Sequence, residues 1–214
     1  MSKRLMAVIV FLVPLLMLPA FFLLEAGTAS NELAAVERLE PQSAAQLSAL
    51  PAGQGILIEG RLDLLNTRSL DSLLIYRAED RYLDADLSGQ WYASQVASPF
   101  AVALSDGVVR VINRDYILKN PLHMIELSPL RRYSGLALGD RVTIIGAVTR
   151  DASGPAVQAE VVAGGTRADY LALQQKSAAA PAAIAALLTL LTVLLGLGLW
   201  LARKQTQHYT PAEL

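Results

Sequence analysis

The sequence predicts a mainly β fold with flanking helices, a small antiparallel OB-like barrel set between two transmembrane helices. Three observations carry this expectation: an uncharged apolar run near each end of the 214-residue chain, about six short alternating strand patterns between them, and turn residues separating those patterns. Residues 1–30 form the N-terminal anchor, 31–177 an extracytoplasmic domain, 178–202 a C-terminal transmembrane helix and 203–214 a short cytoplasmic tail.

The first run, Leu5–Leu24, has 20 residues without a charge. At about 1.5 Å per residue it matches a hydrocarbon core of roughly 30 Å. A cleaved signal peptide is the alternative, with Lys3 and Arg4 ahead of the run and Gly27-Thr28-Ala29 as small residues for cleavage. A retained anchor is favoured, because secretory apolar cores span only about 7–15 residues. The second run, Pro181–Ala202, is also uncharged and ends beside Trp200, an interfacial anchor. Ala182, Ala186, Gly196 and Gly198 are more simply lipid-facing than a helix-packing surface. The net charge of -1 conceals two basic pairs, Lys3/Arg4 and Arg203/Lys204, flanking the apolar runs. Both pairs stay on the cytoplasmic side by the positive-inside rule, which puts the middle domain on the far side of the membrane from the cytoplasm.

Within that domain, Asn31–Ala52 reads as helical, broken near Pro41, which suits the first turn of a second short helix through Gln42–Leu50. Ile56–Leu62 alternates, with Ile56, Ile58, Gly60 and Leu62 on one face and Leu57, Glu59 and Arg61 on the other. Val142–Val148 repeats the pattern, and its Gly146, like Gly60, marks a bulge or barrel corner. Further strands are expected at Ser72–Arg77, Trp91–Val96 and Ala156–Val162. The stretch SPFAVALSDGVVRV reads as a hairpin with a two-residue turn at Asp106-Gly107. That register sets Leu104 opposite Val109 and Val102 opposite Val111, with Phe100 on the same apolar face. Thr166 caps a helix leading into the second run, with Asp169 completing a capping box.

Asn113–Ala137 fits no strand pattern, and a loop that long inside a compact domain is functional or has structure of its own. Its hydrophobicity argues for structure of its own. Covering an open barrel end is the simpler role. Contact with lipid or a partner is the functional one, for which Leu118, Leu122, Met124, Ile125, Leu127, Leu130 and Tyr133 are the candidate surface.

The order LLIYRAED, GQW, SPFAVALSDGVVRV and LGDRVTIIGAV, then a polar helix and an apolar run, resembles the GIDE or BAM (beside-a-membrane) domain. That domain lies between the two membrane spans of mitochondrial membrane-anchored ubiquitin ligases and occurs in bacterial proteins as well. The likeness covers roughly Leu47–Trp200 and centres on Tyr76-Arg77, Pro99-Phe100 and Asp106-Gly107. It implies the domain, its topology and a role as scaffold or regulator at a membrane. Ligase chemistry does not carry over, since the sequence holds no cysteine for a zinc-binding RING.

No catalytic residue, metal or cofactor is predicted. A Ser/His/Asp set would need His123, which reads instead as a packing or loop histidine; the other histidine, His208, falls in the tail. Asp84–Gly89 matches the first half of a calcium loop, but Gln95 replaces its bidentate Glu, leaving an acidic turn as the better reading. The mildly acidic domain repels nucleic acid, and Arg131-Arg132-Tyr133 is its one basic-aromatic string. The expected partners are the bilayer and a protein or second copy, met through the domain or the second apolar helix. The expected function is a non-enzymatic interaction or scaffold module. The alternative is a structural subunit of an envelope enzyme or transport complex.

Overall fold

The computed structural model describes residues 17–18, 20–24, 27–28, 30–31, 33–66, 70, 72–82 and 90–207. The chain divides into two units, Ala35–Leu173 and the two terminal segments Met1–Ala34 with Gln174–Leu214. In chain order the elements are α1 (Ala44–Ala49), β1 (Gly55–Leu62), β2 (Leu73–Tyr82), β3 (Gln90–Val96), β4 (Phe100–Ala103), β5 (Val108–Val111) and β6 (Ile117–Lys119). They continue with β7 (His123–Ser128), β8 (Arg131–Ala137), β9 (Arg141–Asp151), β10 (Gly154–Gly164) and α2 (Arg167–Gln207).

The fold is mainly β, but its described strands exceed the six expected and form two sheets. One runs β5-β4-β1-β9-β10-β6, and β5 also pairs with β10, so five strands close into a barrel. The closing seam is parallel, with Ala156 beside Arg110 and Val157 beside Val111, which corrects the expectation of a wholly antiparallel barrel. Parallel pairing arises because β5 and β10 are the third and fifth wall strands in sequence and approach from the same end. The second sheet runs β3-β2-β8-β7. The long segment Asn113–Ala137 is therefore no loop: it supplies β6, β7 and β8.

The barrel core gathers Ile56, Ile58, Leu62, Phe100, Val102, Val109, Val111, Tyr116, Ile144 and Val157. Helix α1 adds Leu47 to this core. It starts after Ser43, whose side chain forms a reciprocal capping box with Gln46. Pro41 lies outside the helix in an extended bridge to Leu57, so it is not the first-turn residue expected. Gly146 pairs with Ala159 beside the β10 bulge, where a Cβ would collide with the Gln158 carbonyl oxygen. The bulge lies on the partner strand β10 and not on β9 itself, and β1 pairs through Gly60 without a register shift, so the expected bulge is displaced at one glycine and missing at the other.

The hairpin register differs from the expected one by two residues: Val102 faces Val109 and Phe100 faces Val111. A shift of two keeps every side chain on its predicted face, so Phe100, Val102, Val109 and Val111 are all buried. The connection is wider than a two-residue turn, and within it sits the Asp106 carboxylate. It accepts hydrogen bonds from the backbone N–H groups of Ala44 (2.9 Å) and Ala45 (3.0 Å) at the start of α1.

Leu57 also departs from the alternation pattern. It is fully buried on the outer wall of β1, beneath Val36, Ala163 and Tyr170. The sequence pattern could not register this cover, which comes from two segments distant in the chain.

Helix α2 begins as expected: the Asp169 backbone N–H donates to Thr166 Oγ1 (3.3 Å), and the Thr166 backbone N–H donates to Asp169 Oδ2 (2.8 Å). Among the described residues, one helix is long and apolar enough to cross a membrane, over Arg167–Gly198, with mean hydropathy 2.3. Most of the first run, Lys3/Arg4, Ala29, the acidic string Asp84–Gly89 and His208 lie outside the described residues, as does the side chain of Trp200.

Candidate interaction surface

The second sheet carries the unusual chemistry of the globular unit and, on and beside β7, one group of its exposed apolar residues; Leu64, Leu65, Val108 and Ile117 are exposed singly or in pairs elsewhere. Strand β2 alternates Arg77, Glu79 and Arg81 with Tyr76, Ala78 and Asp80, and β8 pairs Ser134 with Arg77, Arg132 with Glu79 and Arg131 with Asp80. Directly opposed positions point the same way, so one face brings Arg77, Glu79, Arg132 and Ser134 together. The Glu79 carboxylate is buried and accepts from Arg77 Nε (2.9 Å), Arg132 Nε and Ser134 Oγ (3.1 Å). Burial pushes the Glu79 carboxyl up. The Arg132 and Ser134 hydrogen bonds, with the charges of Arg132 and Arg77, outweigh it and hold the group below the ordinary carboxylate value. The Arg132 guanidinium also lies over the Trp91 ring, 4.2 Å from its centroid.

On the other face Tyr76 and Tyr133 meet edge to face, with centroids 5.4 Å apart. Arg131 pairs with Asp80 there, and its hydrogen bond lowers the Asp80 pKa.

This polar and aromatic framework fixes β8, and β8 positions the outer strand β7. Leu122, Met124, Leu127 and Leu130, on β7 and its flanking turns, are 45%, 56%, 57% and 44% exposed. Ile125 and Tyr133 are half-buried and directly paired across the strands. Leu118 does not belong to this surface: at 3% exposure it sits in the barrel core, because β6 joins the barrel sheet instead. Six of the seven predicted surface residues therefore lie on or beside the β7–β8 hairpin, and one is core.

The remaining motif residues are dispersed. Phe100 is core, Pro99 precedes it, and Tyr76 and Arg77 take opposite faces of β2. Asp106 anchors α1, and its carboxyl is held low by the Ala45 and Ala44 backbone N–H groups. Gly107 packs beside Ala44, where a Cβ would come within 3.0 Å of that side chain.

Sequence reasoning missed the Glu79–Arg132–Trp91 cluster. Its signal was the like-faced run Arg77, Glu79, Arg81 in a strand, which required knowing that Arg132 lay opposite. It also missed Gln95, whose side chain accepts from the Leu118 backbone N–H (3.0 Å) and donates to the Tyr116 carbonyl. That amide covers the outer edge of β6 and ties the second sheet to the barrel.

His123 Nε2 contacts Asp140 Oδ1 at 3.1 Å and Oδ2 at 3.0 Å, joining β7 to the β8–β9 turn. Among the described residues its hydrogen-bond partner is Asp140, and no group of three or more His, Asp or Glu converges as a metal site. The chain matches no protein-family model and no curated protein.

Proposed function

We propose that the chain is a membrane-anchored, non-enzymatic interaction module that meets a protein partner or a second copy through the second sheet. The single observation behind this reading is the group of exposed Leu122, Met124, Leu127 and Leu130 on the outer strand β7 and its flanking turns, next to the β8 strand that the Glu79 cluster ties to β2. Exposed apolar residues grouped on one element are an association surface more often than isolated ones are. An outer strand can also add a partner strand through its backbone.

The closed barrel with its parallel β5–β10 seam supports an OB-type assignment, and with the apolar helix it supports kinship to the beside-a-membrane domain. Anchoring by both apolar runs, with the middle unit extracytoplasmic, belongs to the same proposal.

The test is affinity purification of the full chain in mild detergent, beside Leu127→Ser/Leu130→Ser. A stoichiometric partner or homo-oligomer lost in the variant supports the module. A stoichiometric enzyme or transporter that persists in the variant favours the structural-subunit reading. A monomer in both samples sinks the proposal.

A further inference from the structure

The outer wall of β1 holds an arrangement unrelated to the second sheet. Residues 35–42 cross it: Val36 packs on Leu57, Ala163 and Tyr170, with Leu39 beside them. Pro41 bridges to Leu57, and the Gln42 backbone N–H donates to the Leu57 carbonyl at 2.8 Å. Arg167, the first residue of α2, reaches both sides of this contact. Its backbone N–H donates to Glu59 Oε2 on β1 (3.3 Å), and its Nη2 donates to the Glu37 carbonyl oxygen (2.6 Å). Its Nε is buried without a hydrogen-bond partner among the described residues.

We propose that residues 35–42 are a detachable strap latched by Arg167, which opens while the barrel stays folded. The strap's cover is a satellite cluster distinct from the barrel core, so its release leaves the barrel core intact. The latch is also incompletely satisfied, since a buried guanidinium donor without a partner offsets part of what the Glu37 hydrogen bond contributes. Closed, the strap and the first turn of α2 form one unit around Tyr170 and Arg167. In sequence the strap follows the first apolar run, and α2 carries the second.

Hydrogen exchange on the full chain in detergent micelles tests this device independently of the β7 surface. Arg167→Met keeps the aliphatic stem and removes the Glu37 hydrogen bond. The Gln42 amide should then exchange about tenfold faster while the β1–β9 ladder amides keep their rates. Val36→Ala, which trims the strap's apolar anchor without touching Arg167, should give the same selective change. Unchanged Gln42 exchange in both variants overturns the latch. Equal acceleration of Gln42 and the β1–β9 ladder overturns it as well, because the strap would then be part of the barrel's cooperative unit.

Discussion

The two sheets solve the same physical problem in opposite ways. The barrel closes on itself, so nearly all of its strand edges are paired and its inward side chains form one apolar cluster. The second sheet stays open, with β3 and β7 as outer strands; Leu74, Ile75 and Leu136 join the barrel core, and its other buried side chains include a carboxylate, Glu79, and a hydroxyl, Ser134. A closed sheet draws its stability from apolar burial, which is non-directional and tolerant of small shifts. Away from that shared core, the open sheet is held by a charge-assisted network, which is directional and weakens when one member is lost. The barrel therefore supplies the closed core, while the second sheet leaves Leu122, Met124, Leu127 and Leu130 exposed on and beside its outer strand.

The comparison can be broken most forcefully in the barrel. Ile144→Ala in the fully buried β9 position should cost about 2–5 kcal/mol and lower the melting temperature of both sheets together. Circular dichroism melting would expose an independent second sheet if two transitions appeared.

Glu79→Ala should cost about 1–3 kcal/mol, by leaving Arg77 and Arg132 without their carboxylate. The damage should be confined to the second sheet. In a Trp200→Phe background Trp91 is the sole tryptophan, and its emission should change in the variant while the barrel melt moves little. The pH dependence has a definite sign. Because the folded Glu79 pKa lies below the ordinary 4.5, its contribution is complete above that value and is lost as pH falls through the folded value. The Trp91 signal should thus begin to change below about pH 4.5 and be absent from that range in Glu79→Ala.

Gln95→Ala should cost about 1 kcal/mol and loosen the link between the sheets, read as faster exchange of the Leu118 amide it accepts from. Asp106→Ala should speed exchange at Ala44 and Ala45 without shifting the hairpin register. Smallest of all, Leu127→Ser/Leu130→Ser should leave stability within about 0.5 kcal/mol, since both side chains are exposed. A large loss of stability there would show that the apolar row supports the sheet itself.

Much of the candidate surface was legible because exposed and apolar residues cluster in one stretch, Leu122–Leu130. Leu118 was misassigned for a reason the stretch could not contain: β6 pairs with β10 more than 40 residues later. The Glu79 cluster was illegible for the same reason, since its partners Arg132 and Ser134 come from a strand about 55 residues away.

The sequence by itself determined what depends on neighbours in the chain. The inward face of the β4–β5 hairpin, the Thr166–Asp169 capping box and the length of the apolar helix each follow from residues within a few positions of one another. Only the tertiary structure decided which strands pair, where the barrel closes, what covers Leu57 and what Asp106 holds. Side-chain alternation survives any even shift of register, so it sets faces and leaves pairings open. Those are chosen by burial and hydrogen bonding between segments that meet only when the chain has folded.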